Sequence, residues 1–432
     1  MAAAIGASFT NWGRAPTTLR IRMASSLEAA SNFSGLAPPV RWIRRCARHA
    51  GCGLHSEVLS VRILVVTTWF PSEPRPTEAP FNLEHAKAIQ RRHDVQVLHV
   101  RLGRSQHPET GQYEGIPVTR IGLDPRRPLT LIGAVRQISS ALRSADVLHT
   151  MAFSSALVAA LPWSLRRRPW VHTEHWNGVT NPESVGGVWP RIAWLRHVLR
   201  LPHHVTGVTR QLADRLSEFS RPQAASVVPC VVPNERPVAP YPPLDPLRLV
   251  AVGGLIPRKR PLLAVQTVAW LRGQGHNVEL EWAGDGGQRA EVEALIASCG
   301  LTPYVRLLGN VAPAEVFALF DHAHLFFLPT EQENFFTSAA EAMSAGRPVV
   351  APHVGGYDDY ATPENSRLVD DVTPESLGQA ILEVRDRFRN EEPRVIAGPI
   401  RRRFSPETVA GLFDDIYTDV SERKAGGARI AQ

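Results

Sequence analysis

The sequence predicts an α/β protein of two doubly wound, parallel-sheet domains facing each other across a central cleft. Three observations carry that prediction. Short apolar runs alternate with helix-length segments twice over, from residue 62 to about 228 and from 247 to 369. Seven prolines between Pro229 and Pro246 separate the two series. A chain of 432 residues also exceeds what one ordinary core organises.

The first series opens with Ile63-Leu-Val-Val66, a continuous apolar run suited to a strand buried on both faces. Further strands are expected near Val95–Val100, Val118–Ile121, Asp146–His149, Trp170–Thr173, Val205–Val208 and Ala225–Val228. Helices such as Leu83–Arg91 and Arg210–Phe219 lie between them. The second series places strands at Leu247–Val252, Val278–Trp282, Val305–Leu308, Leu325–Leu328, Pro348–Ala351 and Arg367–Val369. Its helices include Leu262–Arg272, Arg289–Ser298 and Ala314–Phe320, and a helix from Pro406 to about Val420 closes the chain. The expected organisation is an extension over residues 1–60, a first domain over 61–235, a second over 236–403, and a helix over 404–423 returning toward the first domain. Ligands then belong at the carboxyl ends of the strands, in the cleft.

Hydrophobic content of 44% with 21% charge is that of a globular protein. The formal net charge of +7 raises the question of nucleic acid. Seven arginines against two glutamates give residues 1–60 a net +5, which leaves +2 for the rest, so nucleic acid is not the expected partner. That basic, Ala- and Ser-rich stretch lacks periodicity and reads as a disordered or misassigned extension, with an organelle transit peptide as the rival. Cys46, Cys52, Cys230 and Cys299 form no CxxC pair, which disfavours structural zinc or a redox dithiol and suits a reducing, cytoplasmic setting. No apolar run reaches membrane-spanning length; Met151–Trp163 is too short and carries Ser and Pro. Trp163, Arg166–Arg168, Trp170, Trp189, Arg191, Trp194, Arg196 and Arg200 admit two readings. One is a face that meets anionic lipid at the inner surface of a membrane; the other is a domain helix with solvated arginines.

Chemistry concentrates around Glu333 and Glu341. The apolar run Leu325-Phe-Phe-Leu-Pro329 leads into Glu333, and Gly346-Arg-Pro-Val-Val-Ala351 leads out. One carboxylate then stands in a loop at a strand's carboxyl end and the other about a turn into the next helix. Between them lies a helix start whose free N–H groups favour an anion. Two carboxylates for sugar hydroxyls and free amides for a diphosphate suit a nucleotide sugar.

Val252-Gly-Gly-Leu-Ile-Pro-Arg-Lys259, Ala283-Gly-Asp-Gly286, Leu308-Gly-Asn310 and the Glu333–Glu341 segment with Ala342-Met-Ser-Ala-Gly-Arg-Pro-Val-Val350 occur in that order. Together they resemble the retaining family-4 glycosyltransferases (glycosyl transferases group 1) of the two-Rossmann, GT-B fold. The resemblance runs over residues 61–423 and is strongest over 249–370. It implies that Glu341 holds the nucleotide ribose and that Glu333 contacts donor-sugar hydroxyls. It gives the amides of Phe335, Phe336 and Thr337 to the diphosphate, at the strand end marked by Gly253 and Gly254. Lys259 is implied as a diphosphate contact. Only Lys87, Lys259 and Lys424 are lysines among the chain's 48 basic residues, so lysine at that position stands out.

The chain departs from the family at two donor positions. Gly254 stands where the family commonly has arginine, with Arg258 or Arg260 as substitutes; Asn334 stands where glycine is usual. In the first half, the resemblance places His175 near the transferred sugar carbon, where its imidazole donates to a hydroxyl or stabilises positive charge. His172 is the alternative ligand and Glu174 a candidate acceptor-side base. His149 lines either the cleft or the sheet edge. The loop from Trp69 to Phe81 carries Ala79-Pro80 instead of the family's glycine pair. No GxGxxG follows the first strand, which argues against NAD. No DxD motif occurs and adjacent Asp358-Asp359 chelate poorly, so no obligatory metal is expected.

The implied activity is transfer of a sugar, with retention, from a UDP- or GDP-linked donor to a glycan or lipid-linked acceptor hydroxyl. His175, Lys259 and Glu333 are the expected catalytic residues. Gly253, Gly254, Arg258, Lys259, Glu333, Asn334, Phe335, Phe336, Thr337 and Glu341 are the expected donor residues. A nucleotide-sugar epimerase and a non-enzymatic relative with a decayed site are the alternatives.

Overall fold

The computed structural model describes residues 60–103, 108–185, 187–220, 225–233 and 235–430, with side chains through residue 423. The expected extension over residues 1–60 lies outside the described residues except for Ser60.

The first sheet is built from β1 (Arg62–Thr67), β2 (Asp94–Leu102), β3 (Glu109–Tyr113), β4 (Ile116–Leu123), β5 (Val147–Met151), β6 (Trp170–Glu174), β7 (His204–Gly207) and β8 (Ala225–Val227). Its order is β3-β4-β2-β1-β5-β6-β7-β8, parallel throughout except for the β3–β4 hairpin at one edge. Helices α1 (Pro80–Gln90), α2 (Pro128–Ser144), α3 (Phe153–Arg166) and α4 (Arg210–Ser217) connect the strands. Period-2 alternation along β1 shows how the sequence divides between the layers. Ile63 and Val65 pack with Leu83 and Ile89 of α1. Leu64 and Val66 pack on the other face with Ile138 of α2 and Ala156 of α3.

The second sheet contains β9 (Leu247–Val252), β10 (Val278–Ala283), β11 (Val305–Gly309), β12 (Leu325–Phe327), β13 (Val349–Pro352) and β14 (Ser366–Val369). Its order, β11-β10-β9-β12-β13-β14, is fully parallel. Helices α5 (Pro261–Gly273), α6 (Arg289–Ser298), α7 (Pro313–His322), α8 (Thr337–Ser344), α9 (Pro374–Phe388) and α10 (Pro393–Arg403) cover it. The strand order reverses between β9 and β12 here, and between β1 and β5 in the first sheet. Crevices at such reversals are where ligands bind in doubly wound folds.

The prolines between the sheets are pinned to the second one. The buried Arg347 guanidinium donates to the carbonyls of Ala239 (2.7 Å) and Pro240 (3.2 Å) and stacks over Tyr241. The last helix, α11 (Pro406–Ile430), lies against the first sheet. Its Phe413, Tyr417 and Val420 join the core made by β1 and α1, and Glu407 pairs with Arg91 at 2.7 Å.

Candidate functional site

The loops leaving β9 and β12 meet at the crevice of the second sheet. The Glu331 N–H donates to the Arg258 carbonyl at 2.8 Å, which ties one loop to the other. The tie brings Lys259 and Glu333 together. The Lys259 ammonium donates to Glu333 Oε1, and the same oxygen accepts from Thr330 Oγ1 at 2.8 Å and from Arg258 Nη1 at 3.3 Å. Burial pushes the Lys259 ammonium down and Glu333 pushes it up, with burial the larger effect. Glu333 Oε2 has no partner among the described residues.

Close packing of backbone explains the glycines behind this cluster. A Cβ on Gly284, whose φ is +138°, would stand 2.0 Å from the Gly253 carbonyl oxygen. A Cβ on Gly253 would stand 3.3 Å from the Lys259 side chain, so this glycine lets the lysine lie against the strand end. Gly254 differs: its Cβ would make only ordinary contact, 3.4 Å from the Asp285 carbonyl.

Helix α8 starts from Phe336, which adopts the left-handed region (φ 58°), a conformation costing an ordinary residue roughly 1–2 kcal/mol. Tyr360 holds it there by donating its hydroxyl to the carbonyls of Phe335 (2.5 Å) and Phe336 (2.9 Å). The turn presents the unpaired N–H groups at the helix start beside Glu333. Glu341 lies one turn on. It is half-buried and its carboxyl has no hydrogen-bond partner among the described residues; burial, aided by Glu84, pushes that carboxyl up to about 7.

A cavity of about 420 Å³ joins the two halves. Arg258, Glu333, Asn334, Phe335, Phe336 and Thr337 line it from the second half; Phe81, His175 and Trp176 line it from the first. Asn334 spans the gap, its Nδ2 donating to the His175 carbonyl at 2.6 Å. Cys230 also lines the cavity, its thiol pushed up to about 12 by burial.

The protonation of His175 follows from its neighbours. His85 is fully buried, and burial pushes its imidazole down to about 4, so it is neutral. Its Nε2 lies 2.9 Å from the Pro229 carbonyl, which only accepts, so Nε2 donates and Nδ1 accepts. The atom 3.2 Å from that Nδ1 is His175 Nε2, which therefore carries the proton. His175 Nδ1 is left as a buried acceptor without a partner. Burial holds the ring well below its ordinary pKa, and it stacks on Phe81 at 4.5 Å. In this state the ring offers a lone pair, not a donor, at Nδ1.

The other first-half residues of interest turn inward. Glu174 is fully buried, accepts the His175 and Trp176 N–H groups at 2.9 Å each, and stands 3.4 Å from His172 Nε2. It shapes the turn that carries His175 and is not placed to act as a base. His172 bonds Thr150 at 2.9 Å, also out of the cavity. His149 lies between Thr173 and Tyr417 at 2.7 Å each, joining the sheet to α11. Asp358 pairs with His353 at 2.9 Å, and Asp359 accepts the Arg210 N–H at 2.6 Å. Arg260 pairs with Glu331, while Arg258 reaches Glu333.

Sequence reasoning missed Thr330, His85 and Tyr360, and reached Phe81 only as the end of the loop from Trp69. Phe81 and His85 had a usable signal: four residues apart on α1, they share one helix face. Thr330 and Tyr360 had none, since only tertiary packing brings them to the loop.

Comparison with known proteins covers both halves of the chain. Residues 64–236 match the family model described as Glycosyltransferase Family 4, and residues 246–386 match that described as Glycosyl transferases group 1. The 2-deoxystreptamine glucosyltransferase of Streptomyces kanamyceticus is 31% identical over 153 residues, 35% of this chain and 40% of that protein. The MMP alpha-(1->4)-mannosyltransferase of Mycolicibacterium hassiacum is 27% identical over 234 residues, 52% of this chain and 56% of that protein. The chain thus spans about half the length of the curated relatives it matches. Among solved structures, Anabaena Alr3699/HepE in complex with UDP and glucose superposes with a TM-score of 0.66 at 19% identity, over 83% of this chain and 99% of that one. Two sheets with reversal-point crevices and two adjoining family matches lead to one assignment: the chain belongs to the group 1, family-4 glycosyltransferases and has the GT-B fold.

Proposed function

We propose that this chain is a retaining glycosyltransferase that moves a sugar from a nucleotide diphosphate to an acceptor hydroxyl without an obligatory metal, in the synthesis of a cell-surface glycan, polysaccharide or glycolipid. The observation that carries the reading is the Lys259–Arg258–Glu333 cluster beside the α8 start, whose Arg258 and Glu333 line one cavity with His175 of the other half. Residues 61–235 serve as the acceptor domain and 236–403 as the donor domain, closed by the helix from 404. Lys259, Arg258 and the amides of Phe335–Thr337 neutralise the diphosphate, and Glu341 accepts the ribose hydroxyls. Glu333 contacts the donor sugar through the oxygen that Lys259 leaves open.

Retention follows from attack on the face the diphosphate leaves. The bond from the anomeric carbon to the diphosphate breaks, the bond to the acceptor oxygen forms, and a diphosphate oxygen takes the acceptor proton. The neutral His175 ring lines the cavity beside the transferred sugar. UDP is the first donor base to test, because the Anabaena neighbour holds UDP.

Lys259→Ala and Glu341→Ala should each lower turnover by roughly 100–1,000-fold while the protein stays folded. Unchanged turnover in both, measured with a panel of UDP- and GDP-sugars, refutes the assignment. Retention is checked by the anomeric configuration of the product.

Contact with the inner face of a membrane remains part of the proposal for a lipid-linked acceptor. Trp163 and Trp170, counted toward an interfacial face, are instead core residues. Trp194, Leu161 and Leu165 are exposed near Arg166 and Arg191 and carry the idea. Co-sedimentation with anionic vesicles that Trp194→Ser does not weaken removes it.

A further inference from the structure

The loop between β1 and α1 borders two cavities. Phe81, in the first turn of α1 just after it, lines the cavity described above, while Thr68, Trp69, Ser72, Arg75 and Glu78 line a second one of about 310 Å³. His99, Arg101 and Leu102, at the end of β2, form its other wall. The second cavity sits at the carboxyl ends of strands next to the first sheet's reversal point, where a doubly wound domain receives a ligand.

Its lining carries two guanidinium groups, one carboxylate and one indole. Arg75 and Arg101 line the wall, and Arg120 stands behind it, buried, with Nη2 donating to the Pro71 carbonyl at 3.1 Å and Nε without a partner. Arg75 pairs with Glu78 at 3.7 Å and Arg101 with Glu109 at 3.9 Å. Burial, then Arg101 and Arg120, push His99 down to about 4, so the imidazole is neutral and adds an uncharged polar group. The side chains of Thr68 and Ser72 supply hydroxyls, and Trp69, half-exposed, supplies an apolar plane at the rim. Guanidinium forks match phosphate oxygens two at a time, while an indole face suits the C–H face of a sugar or polyol.

We propose that this second cavity binds the acceptor, and that the acceptor carries a phosphate held by Arg75 and Arg101. The proposal rests on the transferase reading and adds the acceptor's chemical class. A free polyol phosphate and a lipid headgroup present the same phosphate chemistry to these arginines.

The test is direct binding, independent of turnover. Glycerol 3-phosphate, glycerol, and vesicles with or without phosphatidylglycerol are titrated into the full chain, Arg75→Gln/Arg101→Gln and Lys259→Ala, each checked for unchanged thermal unfolding. Binding of glycerol 3-phosphate at least tenfold tighter than glycerol is expected, reduced at least tenfold in the double arginine variant and kept in Lys259→Ala. Binding confined to phosphatidylglycerol vesicles, with the same arginine dependence, assigns the lipid-borne source. Absence of arginine-dependent binding in both arms, or loss in Lys259→Ala alone, overturns the proposal. Titration of UDP and GDP into the same proteins separates the two readings. Nucleotide binding without phosphate binding sinks this inference alone; arginine-dependent phosphate binding without nucleotide binding sinks the transferase reading instead.

Discussion

Glu341 has its carboxyl raised by burial and by Glu84 to about 7, and that has a consequence for pH. In the unfolded chain the group titrates near its ordinary value, so between roughly pH 4.5 and 7 the folded state holds more protons. The stabilising contribution is complete below the unfolded pKa and is lost as pH rises through the folded one. The thermal midpoint of the nucleotide-free protein should therefore fall across that window, and Glu341→Gln should flatten the fall. If Glu341 accepts the ribose hydroxyls, nucleotide affinity should rise from pH 6 to 8 in the native protein and not in Glu341→Gln; an identical profile in both removes that role. Gly254 belongs to the same scale. A side chain there meets no tight contact, so Gly254→Arg should fold and should tighten nucleoside diphosphate binding about tenfold through a charge-assisted hydrogen bond, measured by calorimetry.

Helix α11 shows how an element far along the chain becomes part of the first sheet's core. Phe413 packs between His85 and His149, and Tyr417 bonds His149 at 2.7 Å. Tyr417→Phe leaves a buried imidazole nitrogen unpaired and should cost about 1–3 kcal/mol in chemical denaturation. Phe413→Ala should cost about 3–5 kcal/mol by cavity formation. Phe413→Ala should also disturb His85 and, through it, the tautomer of His175. A shift in the His175 ring nitrogen resonances would report this.

Asn334 is where the two halves meet at the site. The family's usual glycine could not donate a side-chain hydrogen bond to the His175 carbonyl, so this chain couples the Glu333 loop to the first half. Asn334→Gly should change donor-sugar selectivity, read as kcat/KM across sugars on one nucleotide, while leaving the affinity for the free nucleoside diphosphate within about twofold. Loss of nucleotide affinity comparable to Lys259→Ala would place Asn334 at the diphosphate instead. The same scale explains the second sheet's grip on the linker, where Arg347 reaches back to Ala239 and Pro240.

Local pattern determined much of this protein. Runs such as Ile63–Val66 and Leu325–Leu328 announce strands buried on both faces, because only strands covered by helices on two sides can be apolar at consecutive positions. The spacing of Glu333 and Glu341 announced a loop followed by a helix start, with Glu341 one turn into the helix. The β3 strand escaped because its residues, Glu109 to Tyr113, are largely exposed at a sheet edge and carry no apolar signal. Tertiary structure alone decided which polar groups meet. Lys259 and Glu333 lie 74 residues apart, and their contact depends on two loops converging at the β9–β12 reversal. His175 acquires its protonation from His85, 90 residues earlier, because a carbonyl at Pro229 leaves His85 only one way to bond. Hydrogen-bond direction is set by partners in space, and sequence spacing does not contain them.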